Sequence, residues 1–186
     1  MTSSPTSGAA QPQASVATSF RPWRKGDVPA IVAVHLATFH GFFLSFLGGR
    51  FLTLLYEEMT ADPGGVVVVA EAESRVVGFA AGVTEQKAFY RRILEGRRWA
   101  FAHAALGALL RRPGIALRLV RALRKDRDVV PSAAASLMSI GVDPCVSGTG
   151  AGKGLIRAFG TAMAERGVNR YCLTTDAVGN DAVNRF

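Results

Sequence analysis

The glycine-rich stretch from Val142 to Ile156 constrains the fold of this chain more than any other part of the sequence. It follows a strand-like segment, 134–142, and leads into a helical pattern over 150–166. In that pattern apolar residues recur at every fourth position: Leu155, Phe159 and Met163. Alternating glycines let backbone N–H groups turn inward without Cβ obstruction, and a helix N-terminus adds about half a positive charge. The sequence therefore predicts a strand–loop–helix unit that forms an anion cradle suited to phosphate.

Two common phosphate-binding motifs do not fit this loop. A Walker A motif, G-x-x-x-x-G-K-[ST], can be aligned on Gly152-Lys153, but Ser147 then replaces its first glycine and Gly154 replaces the hydroxyl that binds Mg²⁺. The dinucleotide fingerprint G-x-G-x-x-G also fails, because its third glycine would fall on Lys153 or Leu155. These mismatches argue against a nucleoside triphosphatase and against a dinucleotide-binding fold.

The order of the other predicted elements is β-α-α-β-β-(insert)-β-α-β-α, which is typical of a mixed α/β domain. The predicted strands cover residues 19–23, 66–72, 75–84, 134–142 and 169–175. Four helices are predicted outside the insert. The first begins at Gly26-Asp27-Val28-Pro29, the second and third cover 49–61 and 150–166, and the fourth begins after Gly179. On the first helix, the residues at helical spacing are Ile31, Val34, His35 and Phe39. On the second helix, one face carries Phe51, Leu54, Leu55 and Met59. The connection 41–47 is too apolar for an ordinary solvated loop.

Most of the positive charge lies in one segment. The chain has 22 Lys and Arg against 14 Asp and Glu, a net charge of +8. Between Gln86 and Arg127, twelve basic residues face only Glu95 and Asp126, so this segment carries +10 and the remainder −2. We interpret residues 86–128 as a cationic helical insert between the third and fourth strands.

The insert contains two amphipathic patterns separated by Pro113-Gly114. The first places Ala102, Ala105, Leu106, Leu109 and Leu110 on one face, and the second places Ala116, Leu119, Val120 and Leu123 on one face. Three interpretations stay open. The insert could be a lid or packing element, or an interfacial helix pair on an anionic membrane surface. A nucleic-acid partner is disfavoured because the insert has no aromatic-interleaved motif.

The remaining sequence features concern the cellular compartment. Residues 1–18 have neither a charged start nor an apolar run, so we predict a disordered tail and no secretory signal. The most apolar window, Trp99 to Leu110, is shorter than the roughly 20 residues of a membrane span. Cys145 and Cys172 are isolated from each other and from any metal-binding pattern. We expect a cytoplasmic protein without metal, with a single domain over 19–186.

The sequence V-D-P followed by a glycine-alternating loop resembles the acetyl-CoA loop of the GCN5-related N-acetyltransferase (GNAT) superfamily. That loop has the form [RQ]-x-x-G-x-[GA], and here Ser147, Gly150 and Gly152 stand at its fixed positions, with serine in place of the usual Arg or Gln. RPWRKGDVPAI resembles the family's first strand and helix, and VVVVAEAESRVVGFAAG its second and third strands. Asn180 and Ala182 match the N-x-A start of its fourth helix. The resemblance implies a mixed, mostly antiparallel central sheet with flanking helices.

The resemblance also implies an acyl-CoA-dependent N-acyltransferase, which transfers acetyl from acetyl-CoA to a small-molecule amine by direct attack. The backbone of Ile140 and Val142 would pair with the pantetheine amides, the loop amides would hold the pyrophosphate, and Asn180 would approach the pantetheine arm. The implied cofactor-binding residues are Ile140, Val142, Ser147, Gly148, Thr149, Gly150, Ala151, Gly152, Lys153 and Asn180.

No catalytic residue can be assigned from the sequence. The carboxylates near the expected site are Glu71, Glu73, Glu85 and Asp176, and each is more simply a solvated side chain. His35 and His40 are more simply packed or surface histidines.

The family often has a tyrosine one residue beyond the equivalent of Phe186, followed by two more strands, and we expect this domain to lack them. An incomplete sequence, a second copy that completes the sheet in a homodimer, and a degenerate member are the alternatives. A non-catalytic acyl-CoA-binding or membrane-peripheral module is the alternative function.

Overall fold

The computed structural model of the chain describes residues 17–111 and 135–173. The strands are β1 (Ser19–Pro22), β2 (Gly65–Ala72), β3 (Arg75–Val83), β4 (Ala135–Val142) and β5 (Tyr171–Leu173). The helices are α1 (Val28–Thr38), α2 (Phe43–Leu47), α3 (Gly49–Ala61), α4 (Gln86–Gly96), α5 (Arg98–Arg111) and α6 (Ala151–Ala164), with a short 3-10 helix at Pro144–Val146. Most of the predicted tail, the second half of the 86–128 segment, and Asp176, Asn180 and the predicted last helix lie outside the described residues.

The five strands form one sheet in the order β1-β2-β3-β4-β5. The first three pairings are antiparallel, and β4 pairs with β5 in parallel over 135–137 and 171–173. A two-residue turn joins β2 to β3, with Glu73 and Ser74 both at positive φ. This arrangement confirms the predicted mixed, mostly antiparallel sheet with flanking helices.

Alternate residues of the sheet pack against helices on its two faces. Val67 and Val69 of β2 join the core beneath α1 and α3, whereas Val66 and Val68 join the core beneath α6. The alternation follows from the pleat, which sends successive side chains to opposite faces. The predicted apolar face of α6 is confirmed, because Leu155, Phe159 and Met163 are fully buried.

The predicted apolar face of α3 is displaced from the buried face by about a fifth of a turn, at 100° per residue. Its buried residues are Leu52, Leu55, Tyr56 and Met59, whereas Phe51 and Leu54 are only partly buried. The reason is that α3 contacts the sheet and α1 on one side and α5 on another. Phe51 packs edge-on against Phe101 of α5, with ring centroids 5.1 Å apart. A helix with two apolar contacts has a wide apolar stripe, and periodicity alone does not locate its centre.

The apolar connection 41–47 contains α2, which packs against α5. Leu47 and Ala105 form a small buried cluster there. The predicted face of α5 is wrong in part: Phe101 and Ala105 are buried, but Ala102 is exposed and so are Leu106 and Leu110. Because α5 has apolar residues on opposite sides, periodicity could not show which side the domain covers.

Candidate acyl-CoA site

The last residues of β4 present main-chain groups on the side of the strand that faces away from β3. The Asp143 N–H donates to the Val77 carbonyl at 2.8 Å, and Val142 lies opposite Gly78. Since residues of an antiparallel pair alternate between bonding the partner strand and facing away, Ile140 and Val142 direct their N–H and C=O groups away from β3. The described part of β5 ends opposite Leu137 and does not reach them.

A side chain from α1 already contacts this row. The Thr38 hydroxyl donates to the Val142 carbonyl at 3.0 Å, across 104 residues of sequence. The Val142 N–H and both main-chain groups of Ile140 have no partner among the described residues. Thr38 was not singled out from the sequence, because nothing local to α1 indicates which carbonyl its end will meet.

Asp143 shapes the beginning of the loop. Its carboxylate accepts a hydrogen bond from the Cys145 N–H at 2.9 Å, and its carbonyl accepts one from the Val146 N–H at 3.0 Å. These bonds form the 3-10 turn, which reverses the chain directly after β4. The aspartate and proline of the V-D-P sequence therefore have a structural role that does not require a ligand.

Two glycines complete the reversal into α6. Gly148 and Gly150 have φ of +83° and +87°, which side chains rarely adopt, and a Cβ at either position would meet no atom within 4 Å. The backbone therefore requires glycine for its conformation, while the space outside it is open. Ser147, Thr149 and Lys153 are exposed, whereas the Ala151 side chain is buried.

The N–H groups at the start of α6 are free to bind an anion. The first intrahelical bond runs from the Gly154 N–H to the Gly150 carbonyl, so the N–H groups of residues 150–153 have no acceptor among the described residues. The Gly148 N–H has none either, whereas the Ser147 and Thr149 N–H groups bond within the loop, at 3.2 and 3.4 Å. Ser147 and Thr149 thus offer no free amides, and the Thr149 hydroxyl also donates to the Val146 carbonyl, at 2.8 Å.

Gly154 positions α6 on the sheet. A Cβ there would lie 2.0 Å from the Phe20 ring of β1, so only glycine permits this contact. The fourth glycine of the run therefore has a packing reason, in contrast to Gly148 and Gly150. No local sequence pattern indicates that Phe20 is its neighbour.

Of the carboxylates considered from the sequence, the three that the structure describes, Glu71, Glu73 and Glu85, lie outside β4 and the glycine loop. Glu71 binds Arg21, whose guanidinium also binds Asp27 at 2.7 Å. Burial alone would raise the pKa of Asp27, but hydrogen bonds from Arg21 and from the Arg24 N–H hold it below its usual range. Glu73 lies in the β2–β3 turn, Glu85 precedes α4, and Asp176 lies outside the described residues.

His35 is buried rather than exposed to a substrate. It is 3% exposed, and burial lowers its pKa to about 4, so it is neutral near pH 7. Its Nδ1 lies 2.7 Å from the hydroxyl of Tyr56, which donates to Ser139 of β4 at 3.2 Å. The Tyr56 hydroxyl therefore lies between His35 Nδ1 and Ser139, and His35 Nε2 lacks a partner among the described residues. His40, by contrast, is exposed.

This chain of polar groups connects α1 and α3 to the middle of β4. Burial raises the pKa of Tyr56, so its phenol stays protonated. The sequence could not reveal the arrangement, since Tyr56 and Ser139 lie 83 residues apart. A histidine that is neutral and enclosed in this way is a poor general base.

A cavity of about 600 Å³ lies elsewhere, between α3 and α5. Arg50, Thr53, Glu57 and His103 are among its lining residues, and none belongs to β4, the loop or α6. At the glycine loop, free amides at a helix N-terminus lie directly after the outward-facing main-chain groups of β4, so we place the candidate site at the loop. No group of three or more metal-binding side chains occurs within 17–111 or 135–173.

Solved structures share this architecture over most of the chain. An aminoglycoside acetyltransferase AAC(6')-Iy in complex with the bisubstrate analogue CoA-S-monomethyl-acetylneamine is 13% identical, with a TM-score of 0.58 over 91% of this chain and 86% of that one. The ribosomal-protein-S18-alanine N-acetyltransferase of Escherichia coli is 14% identical, with a TM-score of 0.53 over 90% and 73%. The chain has the GNAT fold. A transcriptional regulator from Bacillus halodurans also superposes on this GNAT fold, at 15% identity and a TM-score of 0.54 over 91% and 89%.

Comparison of sequences adds no closer relative. No family model matches the chain, and no curated protein matches it. The architecture therefore establishes the GNAT fold, and a fold by itself does not establish the chemistry. No helix in the described part of the chain is long and apolar enough to cross a membrane.

Proposed function

We propose that this GNAT-fold protein is an acyl-CoA-dependent N-acyltransferase, which transfers acetyl from acetyl-CoA to the amine of a small molecule. One observation carries the proposal: the free amides of Gly148 and of residues 150–153 lie directly after a strand whose Ile140 and Val142 main-chain groups face outward. The loop amides can donate hydrogen bonds to a pyrophosphate. The outward main-chain groups of β4 can pair with the amides of a pantetheine arm.

The chemistry follows from this arrangement. A neutral amine attacks the thioester carbonyl directly, the carbon–sulfur bond breaks, and CoA leaves as a thiol after protonation. Main-chain N–H groups of β4 would stabilise the oxyanion that forms on the carbonyl oxygen. Holding amine and thioester together supplies much of the rate enhancement. Asn180 stays a proposed pantetheine contact.

Ligand-induced stabilisation tests the cofactor part of the proposal. At about 100 times its Kd, acetyl-CoA should stabilise the native protein by roughly 2.7 kcal/mol, measured as a shift in thermal unfolding. Gly150→Glu should abolish the shift, because it places a carboxylate where phosphate would bind. Gly167→Glu is the matched control, since Gly167 follows α6, also has positive φ and also faces open space. A shift retained by Gly150→Glu would refute the placement of the site.

The alternative is a non-catalytic acyl-CoA-binding module. It is favoured by the absence, among the described residues, of a free carboxylate or exposed histidine on β4, and by the enclosure of His35. Both functions predict the thermal shift, but only the enzyme releases CoA thiol in the presence of an amine. The amines to test include aminoglycosides, because one solved neighbour is an aminoglycoside acetyltransferase in complex with sisomicin.

A further inference from the structure

The helices α4 and α5 present an exposed apolar surface that the acyltransferase proposal does not use. Five of the seven large apolar side chains exposed in the described part of the chain lie on these two helices. We name them the outer face: Tyr90, Leu94, Trp99, Leu106 and Leu110. Trp99 and Leu110 are each 75% exposed. Scattered single residues would need no explanation, but a concentration of this kind indicates an interaction surface.

The outer face follows from helix geometry. On α5, Trp99, Leu106 and Leu110 are spaced i, i+7, i+11, so their side chains fall within one narrow stripe. Phe101 and Ala105, which are buried, lie on the opposite side of the helix. α5 is thus apolar on two sides, one packed on the domain and one facing outward. The outward apolar side of α5 is therefore available for a contact outside the domain.

Positive charge accompanies the apolar residues. Residues 86–111 contain six Lys and Arg and a single Glu, a net charge of +5. Arg92 and Arg97 form ion pairs with Asp62 and Glu58. Arg91 and Arg98 have no ion pair among the described residues, and the Arg98 guanidinium lies over the Trp99 ring at 5.6 Å.

We propose that the outer face binds an anionic lipid surface. An exposed tryptophan and tyrosine with leucines, flanked by arginines of which two have no ion pair among the described residues, is the composition of helices that lie in the membrane interface. The arginines attract the anionic headgroups, and the apolar stripe of α5 inserts its side chains between the headgroups and the acyl chains. The helices would lie on the bilayer and keep the sheet and the glycine loop in water.

Vesicle co-sedimentation of the full chain tests this surface. The protein should bind vesicles of phosphatidylcholine with about one third phosphatidylserine, and bind pure phosphatidylcholine much less. The double variant Arg91→Gln/Arg98→Gln should lose about fivefold in partitioning per residue. The matched control is Arg166→Gln/Arg170→Gln, which removes two exposed charges elsewhere and should change binding less.

Insertion of the apolar stripe is measured separately. Leu106→Gln/Leu110→Gln should reduce binding by tenfold or more, whereas Leu173→Gln, at a leucine of similar exposure on β5, should not. In a Trp23→Phe background, Trp99 fluorescence should shift to shorter wavelength with anionic vesicles.

Three results would overturn the proposal: no binding to the anionic vesicles, equal losses in the variants and their controls, or binding to an RNA or DNA duplex but not to vesicles. Self-association abolished by the leucine variants, without vesicle binding, would assign the outer face to a second copy instead. Because none of these residues lies at the glycine loop, the acetyl-CoA thermal shift should survive in every variant, so the two proposals fail independently.

Discussion

Acid should destabilise this protein through His35, and the size of the effect can be worked out from the structure. The pKa of His35 is lowered from 6.5 to about 4 by burial. An unfolded histidine therefore binds a proton at a pH where the folded one does not, so the free energy of unfolding falls as the pH falls from about 6.5 to about 4. The expected loss is about 2 kcal/mol at pH 5 and about 3 kcal/mol below pH 4.

The measurement is urea unfolding at several pH values between about 7 and 4, compared between the wild type and His35→Asn. Asparagine keeps a donor near the Tyr56 hydroxyl but does not titrate, so the difference between the two proteins should shrink by the stated amount as the pH falls. His40→Asn, at an exposed histidine, should retain the wild-type slope. Parallel wild-type and His35→Asn curves would refute the burial argument, and so would a histidine NMR titration of His35 near 6.5.

Two further substitutions test the packing around the site. Gly154→Ala should cost no more than about 1 kcal/mol in unfolding free energy, because its methyl group would meet the far end of the exposed Phe20 ring, which can turn aside, and Phe20→Ala in the same chain should remove that loss. Arg21→Met should cost about 1–3 kcal/mol, measured by thermal unfolding, because it leaves the partly buried carboxylates of Asp27 and Glu71 without their shared partner; an unchanged Tm would show that the pairs are solvated.

The features that the sequence predicted well are local ones. The strand boundaries followed from β-branched runs next to turns, and α3 was predicted with its observed bounds, Gly49–Ala61. The face of α6 followed from a single uninterrupted period, and the loop from glycines whose conformation the structure requires at 148 and 150. In each case a few neighbouring residues carry the whole signal.

The features that the sequence could not predict depend on distant partners. The contact of Thr38 with the Val142 carbonyl and that of Phe20 with Gly154 join parts of the chain that have no local relation. The prediction of the buried side of α5 failed for a related reason, since both sides of this helix are apolar and its packing against α2 and α3 decides which side is covered. The enclosure of His35 is likewise set by tertiary packing.

The antiparallel pairing of β3 with β4 encloses a long excursion of the chain. Between Val83 and Ala135 lie 51 residues, which include α4 and α5. Closing a segment of this length costs about 2 kcal/mol more in chain entropy than closing a hairpin of about five residues, and the cost rises only logarithmically with length. The free energy of pairing β3 with β4 therefore depends only weakly on the length of this segment. Its length and surface can change during evolution while the neighbouring glycine loop keeps its shape, so selection can act separately on the proposed lipid binding and on the proposed acyl transfer.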